Sequence, residues 1–422
     1  MSIASEIQRI QGNIADAYNA CATKGATMPV TNNSASLANT IDSISAGGGG
    51  DVGALGIGKY MVINGVAQPQ ASDVSNAFQI ITSVSNNGMN GACMLMLNLT
   101  GTVNLCNLTT IDNNGMNYAF SHCNKLTGLN LSSLTSVTGN NAMSYAFNGC
   151  TNLSGDLTLG LTSTEYSYAL GHAFAYTNLA NVSFPSLTHI NAYNGASYIF
   201  SYSNIISLNM PNLIHINYSG MENACEVCNK LTSINFENLQ TVNSGGLKEA
   251  FNGCSSLTEA HFNSLTKLSS SADLFRNCYN LTTVSFPNYV NANGDDFSGS
   301  FRWCYNLVNV NFDNFANMRW SGAFNYAFQY CNHLETIKFP SLNYMNGGCF
   351  VEAFSYCTNL KDIYFNALTP TSFVYQNQFR NMLRYTTGVN VHFPAAIEGT
   401  INTWSDVTSG FGGTNTTVLF DL

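Results

Sequence analysis

Charge is the scarcest property of this chain. Asp, Glu, Lys and Arg make up 9% of its 422 residues, with 14 basic against 23 acidic side chains and a net charge of −9. Neutralising a phosphate backbone takes clustered cations, so nucleic acid is not an expected partner. Long apolar runs are missing too. Hydrophobic residues reach 45%, which excludes a disordered chain, yet no stretch approaches the roughly 20 apolar residues of a membrane span, and membrane insertion is not expected. The start, Met1 to Ile14, lacks the basic start and apolar centre of a secretory leader and carries Glu6 instead, so ordinary export is not the expected route.

The signatures of catalysis are equally scarce. There is no G-x-S-x-G elbow and no Walker loop, and Gly47 to Gly50 lacks the flanking strand, helix and lysine that phosphate binding requires. Carboxylates are few and dispersed, so none is nominated as an acid/base pair. Cys225-Glu226-Val227-Cys228 is a C-x-x-C, but a tetrahedral metal site needs two further ligands, and no second pair is placed to supply them. The chain is read as a non-enzyme with no catalytic residue, metal or cofactor.

What the sequence has in abundance is repetition. A phenylalanine position is filled by Cys93, Phe120, Phe147, Phe174, Phe200, Cys225, Phe251, Phe275, Phe301, Phe328, Phe354 and Phe379, at steps of about 24 to 27 residues, within the range of leucine-rich repeats. Three residues later comes Cys123, Cys150, Thr177, Ser203, Cys228, Cys254, Cys278, Cys304, Cys331 or Cys357. The thirteen cysteines are therefore expected as free buried thiols, not a disulfide scaffold. The C-x-x-C has the same explanation: Cys225 stands at the phenylalanine position and Cys228 at the cysteine position.

Each copy continues to a leucine or isoleucine and then an apolar pair two residues apart, such as Val284/Phe286 and Ile363/Phe365. Period-two alternation marks a short strand with the pair facing inward. Stacking one strand per coil at about 4.8 Å makes a parallel sheet along one side of a solenoid, on the order of 50 Å for some ten coils. The residue between each inward pair then points outward: Asn130, Ser183, Asn209, Asn235, His261, Ser285, Asn311, Lys338 and Tyr364, with Asn104 and Thr158 in the earlier coils. This row is polar and little charged, which suits amide and hydroxyl hydrogen bonds to a hydroxyl-rich glycan. The plain alternative is a solvated sheet. A competing surface is the loop edge carrying Tyr166, Tyr168, Tyr193, Trp303 and Trp320, where aromatics are placed to stack on sugars or anchor a protein, or else pack between coils. His189 and His215 share a repeat position and are expected about 5 Å apart.

Five segments follow. Residues 1–46 read as a helical module whose apolar positions Ile3, Ile7, Ile10, Ile14, Ala17 and Cys21 form an a/d seam. Isoleucine at both positions favours three or four strands, a homotrimer among them, with an intramolecular helical hairpin as the alternative. Residues 47–58 are a Gly-rich linker and 59–91 an N-terminal cap. The repeats occupy 92–368, and 369–422 form a C-terminal cap in which the register is lost after Phe379.

The pattern Ala-Phe-x-x-Cys-x-x-Leu-x-x-Ile-x-Phe-x-x-Leu, clearest in Ala250 to Leu265, Ala327 to Leu342 and Ala353 to Leu368, resembles the BspA-like, or treponemal-type, leucine-rich-repeat family of bacterial and phage surface proteins. The resemblance spans roughly Ala92 to Leu368 and implies a leucine-rich-repeat solenoid with its parallel sheet on one face. Ile3 to Ile10, Lys24 to Pro29 and Leu37 to Ile44 resemble a helical module of tail-associated proteins of phages and prophages. Together these imply a tail-associated adhesin or receptor-binding protein of a virion. It would be assembled in the host cytoplasm, held to other tail proteins by its N-terminal helices, and would recognise a bacterial surface glycan or protein. The alternatives are a bacterial cell-surface adhesin and a purely structural virion spacer.

Overall fold

The computed structural model describes residues 78–79, 81–97, 99–372, 378–401 and 411–422. The helical module at 1–46 with its seam from Ile3 to Cys21, the linker at 47–58 and most of the segment 59–91 lie outside the described residues. The chain divides into two compact units, Met1–Leu179 and Ala180–Leu422, and each is a parallel-sheet solenoid of the expected leucine-rich-repeat type.

In the first unit, Gly101–Asn104 pairs in parallel with Leu126–Asn130. A second ladder joins Ser83–Val84, Thr110–Ile111 and Ser136–Val137. The second unit repeats the arrangement. Asn178–Ser183, Ser207–Asn209 and Ser233–Asn235 form one parallel set, and Glu259–His261, Thr283–Ser285 and Asn309–Asn311 a second. Thr336–Lys338, Asp362–Tyr364, Asn390–His392 and Thr417–Leu419 form a third. The short strands after each turn make their own ladders, as in His189–Ile190, His215–Ile216 and Thr241–Val242.

The pairings join equivalent positions of neighbouring coils, so like positions stack on one another. The inward phenylalanines form two stacks through the core of the second unit. One runs Phe251, Phe275, Phe301, Phe328, Phe354 with centroids 5.1 to 6.1 Å apart. The other runs Phe262, Phe286, Phe312, Phe339, Phe365, Phe393 at 5.2 to 6.0 Å.

The segment before each cysteine is a third hydrogen-bonded wall. Alternate amides donate to the next coil, as from Asn114, Met116, Tyr118, Phe120 and His122 to the carbonyls of Asn140, Ala142, Ser144, Ala146 and Asn148. The amides between them donate back three residues within the coil, as from Ala119 to Met116 and Cys123 to Phe120. No backbone donor of this segment is left over, which is what burial beside a core demands. The geometry needs a left-handed residue every fourth position: Asn114, Tyr118 and His122 have φ of 51°, 55° and 60°. Such φ values disfavour side chains with a Cβ; here the contacts between coils outweigh the strain.

The cysteine fits this wall for a reason beyond size. The thiols of Cys254, Cys278, Cys304, Cys331 and Cys357 donate to carbonyls of the preceding coil at 3.0 to 3.1 Å, those of Cys225, Phe251, Phe275, Phe301 and Phe328. A small, mostly apolar donor closes the turn without a partner from solvent.

At the C-terminal end the register does not stop at Phe379. Asn390–His392 and Thr417–Leu419 carry the ladder two strands beyond the sequence-derived limit of 368. The longer spacing between these coils hides them in the sequence, because neither carries the full phenylalanine-to-cysteine signature.

Candidate functional site

The outward row is brought together as the alternation requires. Ser183, Asn209 and Asn235 are register partners, as are His261, Ser285 and Asn311, and Lys338 and Tyr364. Asn130 lies beside Asn104 in the first unit. Much of the row's hydrogen-bonding capacity is used internally. The Asn235 amide donates to Asn209 Oδ1 at 2.9 Å and that of Asn209 to Ser183 Oγ at 3.4 Å. Asn130, Asn235 and Asn311 each accept the backbone N–H two residues on, from Ser132, Glu237 and Asp313, at 2.9 to 3.1 Å. These are Asx turns, so asparagine at the strand end also shapes the chain reversal. His261 reaches Ser285 Oγ at 2.9 Å and Glu259 at 3.4 Å.

The row ends in a packed cluster. The Lys338 ammonium lies 5.3 Å from the Tyr364 ring centre, and Tyr364 stacks on His392 at 4.2 Å with 10° between the planes. The imidazole, 7% exposed, is held between two carboxylates: Nε2 is 3.1 Å from Asp362 and Nδ1 3.0 Å from Asp421. Asp362 also accepts from the Asn390 amide at 3.0 Å. Burial lowers the pKa of His392, but the two carboxylates outweigh it and the net shift is upward. For Asp362, burial acts upward, and the bonds from Asn390 and His392 outweigh it downward. Sequence reading missed His392 and Asp421, which are distant in sequence from Asp362 and meet it only through the continued ladder.

The loop edge differs from its expected form. Tyr166, Tyr193 and Trp320 are 41%, 57% and 63% exposed, whereas Tyr168 and Trp303 are half-buried in the third wall. The residue before each cysteine position is left-handed: aromatic at His122, Tyr176, Tyr202, Trp303, Tyr330 and Tyr356, and Gly149, Val227, Gly253 or Asn277 in the other coils. In the second unit Trp303, Tyr330, Tyr356 and Tyr385 form one column, with centroids 6.0, 4.4 and 4.6 Å apart. Their faces are occupied by one another, so the column presents ring edges and hydroxyls where the sequence suggested faces for stacking. The pattern Phe-x-aromatic-Cys carried the signal for Trp303, Tyr330 and Tyr356, and Tyr385 lies outside it.

His189 and His215 are register partners with rings 5.0 Å apart. They bond to Thr188 and Thr241, and burial followed by the charge of His189 lowers the pKa of His215. Every cysteine among the described residues is unpaired. Cys225 and Cys228 are both fully buried; the thiol of Cys228 donates to the Phe200 carbonyl, and the carbonyl of Cys225 accepts from Cys254. Burial pushes the thiols of Cys225, Cys254, Cys278 and Cys357 up, that of Cys357 to about 12, so these remain protonated and poor nucleophiles. Among the described residues no helix is long and apolar enough to cross a membrane.

A solenoid of stacked parallel strands with polar outward rows and a thiol-closed turn defines a leucine-rich-repeat scaffold. The chain belongs to the BspA-type leucine-rich-repeat family, whose repeat region matches in six copies over residues 102–195, 145–272 and 298–394. Among solved structures it is similar to a leucine-rich repeat protein from Bacteroides ovatus, with 18% identity, 80% of this chain and 87% of that one covered, and a TM-score of 0.36. It is also similar to a leucine rich cell surface protein from Faecalibacterium prausnitzii, with 15% identity, 80% and 83% covered, and a TM-score of 0.28. A search of curated proteins found no match.

Proposed function

We propose that the protein is a non-enzymatic adhesin displayed at a bacterial cell surface, binding a hydroxyl-rich glycan through the outward residues of its solenoid. The observation that carries this is the register: Ser183, Asn209 and Asn235 stand in line on one sheet, and His261, Ser285 and Asn311 on the next, presenting amides, hydroxyls and an imidazole and no large apolar side chain. Membership of the BspA-type family supports a binding scaffold over a catalyst. Solenoids use such extended faces for recognition. A glycan array probed with the full-length protein, together with antibody labelling of unpermeabilised cells that produce it, tests both halves. Binding to a defined set of sugars and labelling of intact cells are expected; a blank array, or label only after permeabilisation, overturns the reading. The tail-attachment reading draws on residues 1–46, outside the described residues, and neither the fold nor the family match adds to it.

A further inference from the structure

One spot on this acidic chain gathers positive charge on its own. Arg276 and Arg302 come from adjacent coils held together by the bond from the Asn277 amide to the Arg302 carbonyl at 2.9 Å. Both guanidinium groups lie over the indole of Trp303, with Cζ 4.9 and 4.1 Å from the ring centre. Two like charges on one ring repel, and they have little to offset them: Asp273 is 3.7 Å from Arg276, and Arg302 has no ion pair among the described residues. The Nε atoms of both arginines are buried and bonded to nothing. Burial, and then the charge of Arg276, push the Arg302 guanidinium below its ordinary pKa.

This is a costly arrangement for a purely structural feature. The flanking coils carry neutral residues in the same row, Asn252 and Gln329. Contact with the indole restrains both guanidinium groups, and a restrained planar fork is suited to hold a carboxylate with two parallel hydrogen bonds.

We propose that Arg276, Arg302 and Trp303 form a binding site for the carboxylate of an acidic sugar within a surface glycan. A sugar is favoured over an acidic peptide by what lies alongside. Tyr330 and Tyr356 continue the column with ring edges and hydroxyls, while Tyr279 and Tyr305 stack at 5.4 Å on neighbouring turns. These are partners for hydroxyl groups, and none of them forms an apolar pocket for a peptide side chain. The site rests on the reading that the solenoid binds glycans, but it lies in the third wall and makes the outward sheet row unnecessary for recognising charge.

The test is titration of the full-length protein with a galacturonic acid oligomer, its neutral galactose counterpart, a sulfated galactose oligomer and poly-glutamate, followed by tryptophan fluorescence and calorimetry at low and high salt. The acidic oligomer is expected to bind at least tenfold tighter than the neutral one, with the advantage shrinking as salt screens it. Arg302→Gln and, separately, Arg276→Gln should abolish that advantage while leaving neutral binding in place and the melting temperature unchanged or raised; Arg319→Gln should change nothing. Equal binding of acidic and neutral oligomers, or an advantage that survives both substitutions, overturns the site while leaving the adhesin reading intact. Poly-glutamate binding as tightly as the sugar acid overturns the assignment to glycan, and a sulfated oligomer preferred over the carboxylated one overturns the assignment to a carboxylate. Failure of every oligosaccharide to bind overturns the adhesin reading as well.

Discussion

A single thiol shows how far the repeat constrains each residue. Cys278 is fully buried and donates to the Phe251 carbonyl at 3.1 Å. Cys278→Ala removes the donor and leaves a void, so urea unfolding should show a loss of about 2 kcal/mol. Cys278→Ser keeps a donor and should lose less than half of that, since Ser203 fills the equivalent position in another coil. Recurrence made the cysteine's smallness legible in the sequence; the bond was not, because its acceptor is a backbone atom one coil away.

His392 makes a prediction of opposite visibility, set by charge instead of recurrence. Its folded pKa is raised above the ordinary 6.5, so its contribution is fully present below that value and is lost as pH rises through the folded pKa, where a neutral ring faces Asp362 and Asp421. The depressed pKa of Asp362 acts on the other side: its contribution holds above 3.8 and is lost as pH falls through the folded value. The native chain should thus lose melting temperature relative to His392→Gln between pH 6.5 and 8.5. Lys338, Lys361 and Tyr364 are the other titratable groups near this cluster. An unchanged difference across that range means the imidazole is not charged in the fold.

At the level of the element, the coil is governed by how closely its walls approach. Gly246 follows the strand Thr241–Val242, and a Cβ there would come within 2.9 Å of methyl groups on Ile216 and Val242. Gly246→Ala should cost about 1 to 3 kcal/mol by overpacking. Gly399→Ala, where a Cβ meets nothing within 4 Å, should be neutral or slightly stabilising in its short helix; equal effects at the two sites would contradict the close approach. The phenylalanine and cysteine positions and the strand pairs were readable from spacing, because stacked coils repeat their demands. The third wall was not. A left-handed residue every fourth position leaves no apolar periodicity, and its mixture of Asn, Tyr, His and Gly reads as loop. The last two strands escaped for a related reason: Val391/Phe393 keep the inward pair, but the phenylalanine-to-cysteine signature ahead of them has gone.

For the molecule as a whole, the core explains nearly every regular feature of the sequence, and function is left to the residues that point away from it. Those residues are only partly at liberty. Asn235 and Asn311 shape turns as well as face solvent, which is why polarity of the row could be read from the sequence while its internal hydrogen bonding could not. The central claim is that the row nevertheless binds. It is tested most directly by the dissociation constant of the tightest neutral array ligand for a variant with Asn209, Asn235 and Asn311 all changed to Ser. The hydroxyls keep a weaker turn acceptor and remove the amide donors. A melting temperature within a few degrees of the native protein and at least tenfold weaker binding are predicted, about 1.4 kcal/mol; native affinity in a folded triple variant would contradict the account.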